Sequence, residues 1–128
     1  LTVFVEPDNV FITGEVIFEG RIPFVGDSDS RAWLETLNKM ASKKGIDALI
    51  PGHGGLAKEP LKAISLTRDY LLFLRQKLGA GVEEMMAFDE IYSSIDWSVF
   101  EKLPAFDLGN RVNAYQVFLS LEKELLEQ

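Results

Sequence analysis

Two short segments carry residue types that suit metal chemistry. The first, Phe11-Ile12-Thr13-Gly14-Glu15, is an apolar run ending in a glycine and a carboxylate. The second, Ala48-Leu49-Ile50-Pro51-Gly52-His53-Gly54, is an apolar run ending in a glycine-flanked imidazole. Short apolar runs bounded by turn residues read as strands. Each candidate ligand therefore stands just past a strand's C-terminal end, the edge where open α/β sheets place their sites. Glycine allows the tight backbone turns that let a neighbouring side chain project into a cleft. Carboxylate oxygen and imidazole nitrogen together suit zinc, iron or manganese. A structural reading stands beside this one. A histidine among glycines also serves as a hydrogen-bonding turn residue, and the acid of Thr-Gly-Glu also serves as a cap or loop acceptor.

The elements that position these residues follow from pattern. Leu1–Val5 reads as a strand, Pro7-Asp8-Asn9 as a turn, and Val10–Thr13 as a second strand, so the first two strands form an antiparallel pair. Val16–Phe18 either continues that strand or bends away after Gly14. Apolar residues on both faces of the first strand predict that both faces are covered. Gly20-Arg21-Ile22-Pro23-Phe24-Val25-Gly26 is a loop, and Asp27-Ser28-Asp29-Ser30 supplies N-cap candidates. Trp33, Leu37 and Met40 then mark a helix from Ser30 to Lys43 that Gly45 closes. Ile46–Ile50 is a short strand. Pro60 starts a helix to about Leu78, with Leu61, Ile64, Leu71, Leu74 and Leu78 as its stripe and Gly79 as its stop. A short helix is expected over Val82–Phe88, with Met85 and Met86 in the core. A connection over Asp89–Asp107 and a last helix over Asn110–Glu127 follow, the helix facing inward through Ala114, Phe118, Leu121 and Leu125. The fold class is thus α/β or α+β, a small mixed sheet with helices packed on it. Three short strands leave an edge and part of a face in want of partners.

Composition bounds the rest. The 128 residues allow one domain, and 47% hydrophobic content supplies a core. A formal net charge of -7 repels phosphate backbones, so nucleic acid is not an expected partner. The absence of cysteine excludes disulfides, thiolate nucleophiles and Cys-based zinc sites. No apolar run approaches the ~20 residues needed to span a bilayer, and no signal peptide is visible. A chain that opens inside a strand reads as cut from something longer.

A strand ending Thr-Gly-acid, a stretch of loop and helix, and a strand ending Pro-Gly-His-Gly together resemble the metallo-β-lactamase superfamily. Residues 1–58 resemble its C-terminal half, carrying metal-site strands and loops, and residues 59–128 form a helical tail. Gly20-Arg21-Ile22-Pro23-Phe24, Asp96-Trp97-Ser98, Leu103-Pro104-Ala105-Phe106-Asp107 and Asn110-Arg111-Val112-Asn113-Ala114 resemble the quinoprotein-relay, sulfur-oxidation-type branch. The resemblance implies the C-terminal half of an αββα sandwich. It also implies one or two zinc ions, or iron or manganese, with Glu15 at the metal-bridging position and His53 at the final histidine position. Function would then be hydrolysis of an ester, thioester, amide or lactam in a small-molecule substrate by a metal-activated water.

Two departures from the family pattern stand out. The bridging position holds Glu15 rather than aspartate, and the extra methylene strains a ligand-distance tolerance of about 0.2 Å. The family's His-x-His-x-Asp-His motif is absent, and His53 is the chain's only histidine. A catalytic zinc site needs about three protein ligands and a water. The missing ligands must come from an N-terminal half or a second chain, and these residues alone are expected to be inactive. The alternative is a non-catalytic binding or assembly module that kept the fold and lost the metal. Arg21 follows Glu15 closely and could hold an anionic substrate group through its planar fork, or pair with Asp27 or Asp29 to fix its loop. Trp97, Phe100 and Phe106 either line a substrate mouth or pin the long connection to the domain. Ser93-Ser94 has no nearby base to make a nucleophile. The compartment stays open between cytoplasm and periplasm, and the branch resemblance leans periplasmic.

Overall fold

The computed structural model describes residues 3–26, 28–43, 46–53, 57 and 59–127, and gives only the backbone of Pro7, Glu15, Gly52 and His53. Three strands form a mixed sheet in the order β1 (Val3–Val5), β2 (Val10–Phe18), β3 (Ala48–His53). Four helices accompany it: α1 (Ser30–Ala41), α2 (Pro60–Glu83), α3 (Phe88–Ser94) and α4 (Phe106–Leu126). The expected small mixed sheet with helices packed on it is the architecture found.

β1 and β2 pair antiparallel around a single turn of 3-10 helix at Glu6–Asp8. Asn9 closes that turn at φ 51°, a left-handed conformation that asparagine tolerates better than most residues. β2 and β3 pair in parallel. That arrangement needs a crossover, and α1 supplies it. Asp29 caps α1, its carboxylate accepting from the backbone N–H groups of Arg31 and Ala32 at 3.0 and 3.2 Å. α1 stops at Ala41, where Ser42 serves as the C-cap. Gly45, the expected stop, lies outside the described residues, as do Gly54 and Gly55 after β3.

The core lies between one face of the sheet and the helices. Phe11, Thr13 and Leu49 are buried on that face. The opposite face fits the expectation that part of a face wants partners, and departs from the expectation that both faces of the first strand are covered. Val3, Ile12 and Ile50 are mutual register partners across the three strands and are all exposed. The described residues therefore cover one face of the sheet and leave an apolar row on the other.

α2 runs five residues past its expected end. Gly79 sits in the helix with open space around it. At Gly81 an added Cβ would lie 2.4 Å from Ile91 Cγ1, so the glycine is there to let α3 pack closely. A glycine costs a helix about 1 kcal/mol, and the burial of Leu74, Leu78 and Val82 outweighs that. Leu61, placed in the expected stripe, is exposed, whereas Thr67 and Tyr70 are buried. Across Val82–Phe88, where a short helix was expected, α2 ends at Glu83 and a break over 84–87 precedes α3. Met85 takes φ 60° and is 89% exposed, so it is not a core residue, while Met86 packs against the core. α3 then runs from Phe88 to Ser94, its residues after Phe88 falling in what was expected to be a bare connection. Phe100 is buried edge-on against Tyr70 at 5.3 Å and Phe73 at 5.2 Å, and Trp97 lies 5.6 Å from Phe73. These rings pin the α3–α4 connection to α2.

Candidate metal and substrate site

Parallel pairing sends the C-terminal ends of β2 and β3 to the same edge of the sheet. The ladder is regular through Ile12↔Ile50 and then shifts to Gly14↔Pro51 and Phe18↔His53. From Ile12 to Phe18, β2 spends twice as many residues as β3 spends from Ile50 to His53. The surplus is a bulge, and Glu15 lies within it. Bulges bend a strand and re-aim its side chains, and they gather next to active sites. Gly14 takes φ 57° at this point, a conformation that costs glycine little and other residues more. The Thr-Gly pair thus has a local structural reason.

A bulge loses ladder hydrogen bonds, and buried backbone groups must find other partners. Three side chains provide them. Thr13, fully buried, donates its hydroxyl to the Ile50 carbonyl at 3.2 Å. Trp33 Nε1 donates to the Val16 carbonyl at 2.7 Å. Thr67 Oγ1 accepts from the Phe18 N–H at 3.2 Å and donates to the Phe18 carbonyl at 3.4 Å. α1 and α2 therefore hold the segment that carries Glu15. Thr67 was not legible as a positioning residue, because a threonine within a helical run reads as surface.

β2 and β3 bring the backbones of Glu15 and His53 to neighbouring strands, while their side chains lie outside the described residues. Among the described residues, no group of three or more His, Cys, Asp or Glu side chains is placed to hold a metal. Glu15 and His53, the two ligands expected from the sequence, are by themselves fewer than the roughly three protein ligands of a catalytic zinc.

Arg21 sits beside this edge. Its Nε donates to the Ile22 carbonyl at 3.1 Å, and its guanidinium carbon lies 5.6 Å from the centroid of Phe18, the register partner of His53. Asp29, one of the acids considered as a partner for it, is engaged in capping α1, and Asp27 lies outside the described residues. Arg21 also lines a half-open cleft of about 440 Å³ with Phe24, Pro104, Leu108, Val112 and Asn113.

The loop carrying Arg21 is fastened from below by a polar network that the sequence did not reveal. Asn113 Nδ2 donates to the Pro23 carbonyl at 2.7 Å, and its Oδ1 accepts from the Val25 N–H at 2.9 Å. Asn113 Nδ2 also reaches the Tyr70 hydroxyl at 3.1 Å. Tyr70 donates to Asn110 Oδ1 at 2.7 Å, and Asn110 Nδ2 reaches the Tyr92 hydroxyl at 3.0 Å. Burial pushes the Tyr70 hydroxyl well above the usual phenol range, against an opposing hydrogen bond from Asn113. It stays neutral and structural at ordinary pH.

No family model matches the chain, and no curated protein does. The backbone places Glu15 and His53 on adjacent parallel strands, with a bulge in the stretch that holds Glu15 and Arg21 on a fastened loop alongside.

Proposed function

We propose that this chain contributes one side of a metal-dependent hydrolase site of the metallo-β-lactamase type. Glu15 and His53 are its two ligands, and zinc, iron or manganese is the metal. The observation that carries the reading is the parallel register of β2 and β3, with the bulge confined to the stretch that holds Glu15. The remaining ligands come from sequence outside these 128 residues or from a second chain. When bound, such a metal supplies Lewis acidity and an activated water for attack on an ester, thioester, amide or lactam carbonyl. The chain's own residues then have separable tasks. Glu15 and His53 bind. Thr13, Trp33 and Thr67 hold the bulge in place. Arg21 orients an anionic group of a small-molecule substrate, and Asn113 fixes its loop.

Metal analysis of the polypeptide that carries this chain together with the further ligands tests the reading. After purification without chelator it retains zinc, iron or manganese, and His53→Ala loses metal while the circular dichroism spectrum is kept. Unchanged metal content in His53→Ala removes that residue from the site.

A second reading is an assembly or binding module that kept this architecture without a metal. The glutamate at position 15, where the family pattern has aspartate, supports it. Metal-free protein with intact fold and intact partner binding distinguishes it from the hydrolase.

A further inference from the structure

α4 has a buried face and, opposite it, an exposed apolar row. Asn110, Asn113, Ala114 and Val117 are buried against the body of the domain. On the opposite side Leu108, Val112, Tyr115, Leu119 and Leu126 form an exposed row, with Leu108 at 90% and Leu126 at 86% exposure. An apolar row left open on a helix whose other face is already buried marks an interaction surface. The row steps by four, three and four residues and closes with a further seven, the spacing of a coiled-coil seam. The position that completes the repeat is Glu122.

We propose that two copies of this chain associate through this row, with their α4 helices antiparallel. Three features select a second copy as the occupant. First, the row is palindromic in character, with a leucine at each end and Tyr115 and Leu119 about its centre. Second, antiparallel pairing sets Leu108 against the partner's Leu126 and Tyr115 against the partner's Leu119, over a seam about 27 Å long. Third, the same register sets Val112 opposite the partner's Glu122. Arg111 and Glu122 lie on one flank of the row, and a two-fold axis across the helices keeps like flanks together. Arg111 therefore meets the partner's Glu122, twice by symmetry. Within its own chain Arg111 pairs with Asp89 and lies over the rings of Phe88 and Tyr92 at 5.2 and 4.9 Å, so its guanidinium is already held at that flank.

Sedimentation of the 128-residue chain between about 5 and 500 µM reads the association directly, because a self-association shifts with concentration by mass action. The mean mass rises towards that of a dimer. Leu108→Glu and Glu122→Arg each weaken association at least tenfold. Both residues are exposed, so both variants keep the parent's circular dichroism and melting behaviour. Mixing Glu122→Arg with Arg111→Glu restores association by re-pairing the charges. Arg111→Glu also loses the Asp89 contact, so register is read separately with engineered cysteines, the chain having none of its own. A mixture of Leu108→Cys and Leu126→Cys forms the mixed disulfide faster than either self-disulfide. A monomer at every concentration overturns the proposal. So does association unchanged in both Leu108→Glu and Glu122→Arg, or faster self-disulfides in the cysteine pair.

Discussion

Gly14 of β2 stands in register with Pro51 of β3, and from that pair the two strands run on at different rates. Glu15 comes one residue after Gly14, and His53 two residues after Pro51. The surplus residues of β2 need backbone partners away from the ladder, and Trp33 and Thr67 supply them. The candidate ligands thus sit on adjacent strands, at an edge whose shape α1 and α2 maintain.

Asn113 ties the Arg21 loop to α4 through two buried backbone groups, the Pro23 carbonyl and the Val25 N–H. An unsatisfied buried polar group costs about 1–3 kcal/mol. Asn113→Ala should therefore lower stability by about 2–4 kcal/mol in urea denaturation. Amide exchange at Val25 should accelerate more than at Leu37 in the core of α1. Equal acceleration at both sites would mean that the loop is held by other means.

Two glycines in α2 should respond in opposite directions to the same change. Gly79 has nothing within 4 Å of a built Cβ, so Gly79→Ala should stabilise by about 0.5–1 kcal/mol through helix propensity and lost unfolded-state entropy. Gly81→Ala must push Ile91 aside from 2.4 Å. It should destabilise by about 1–3 kcal/mol despite the propensity gain. Denaturation midpoints of the two variants check the pair.

Glu124 links three helices. Arg75 of α2 donates to both its carboxylate oxygens at 2.7 and 3.0 Å, and Arg31 of α1 lies 3.3 Å away. The Arg75 hydrogen bonds hold its carboxyl below the ordinary value of 4.5. A depressed folded-state pKa contributes stability that is present above the unfolded value and lost as pH falls through the folded one. The stability difference between the parent and Glu124→Gln should therefore be constant near neutrality and shrink as pH falls below 4.5. A difference that does not change with pH would show that the charge on Glu124 contributes nothing.

The legible parts of the fold were those where local chemistry and tertiary packing agree. Asp29 reads as a cap and is one. The Pro-Asp-Asn turn reads as a reversal and makes one. The small mixed sheet followed from short apolar runs around one long helical crossover. The end of α2 was hidden because Gly79 and Gly81 signal a stop locally, whereas burial of the residues on either side carries the helix through. α3 was hidden because no side chain caps it, so its start left no mark beyond the aromatic Phe88. The candidate ligands Glu15 and His53 were visible through their glycine neighbours. The residues that hold the site in place, Thr67 and Asn113, were not. A polar side chain within a helical run announces a solvated face, and only the fold shows that these two are buried against backbone from elsewhere. The exposed row on α4 escaped notice for the converse reason, since apolar residues spread around a helix blur the period that would mark either face.

The most direct measurement follows the ring of His53 during a zinc titration, because a single histidine gives a single set of imidazole signals. If Glu15 and His53 share a metal, those signals shift saturably on adding zinc to the 128-residue chain. In Glu15→Gln the same shift then requires at least ~10-fold more metal, the scale on which losing a supporting group weakens a metal site. A ring unmoved by zinc, or one that titrates identically in the parent and in Glu15→Gln, would contradict the shared site.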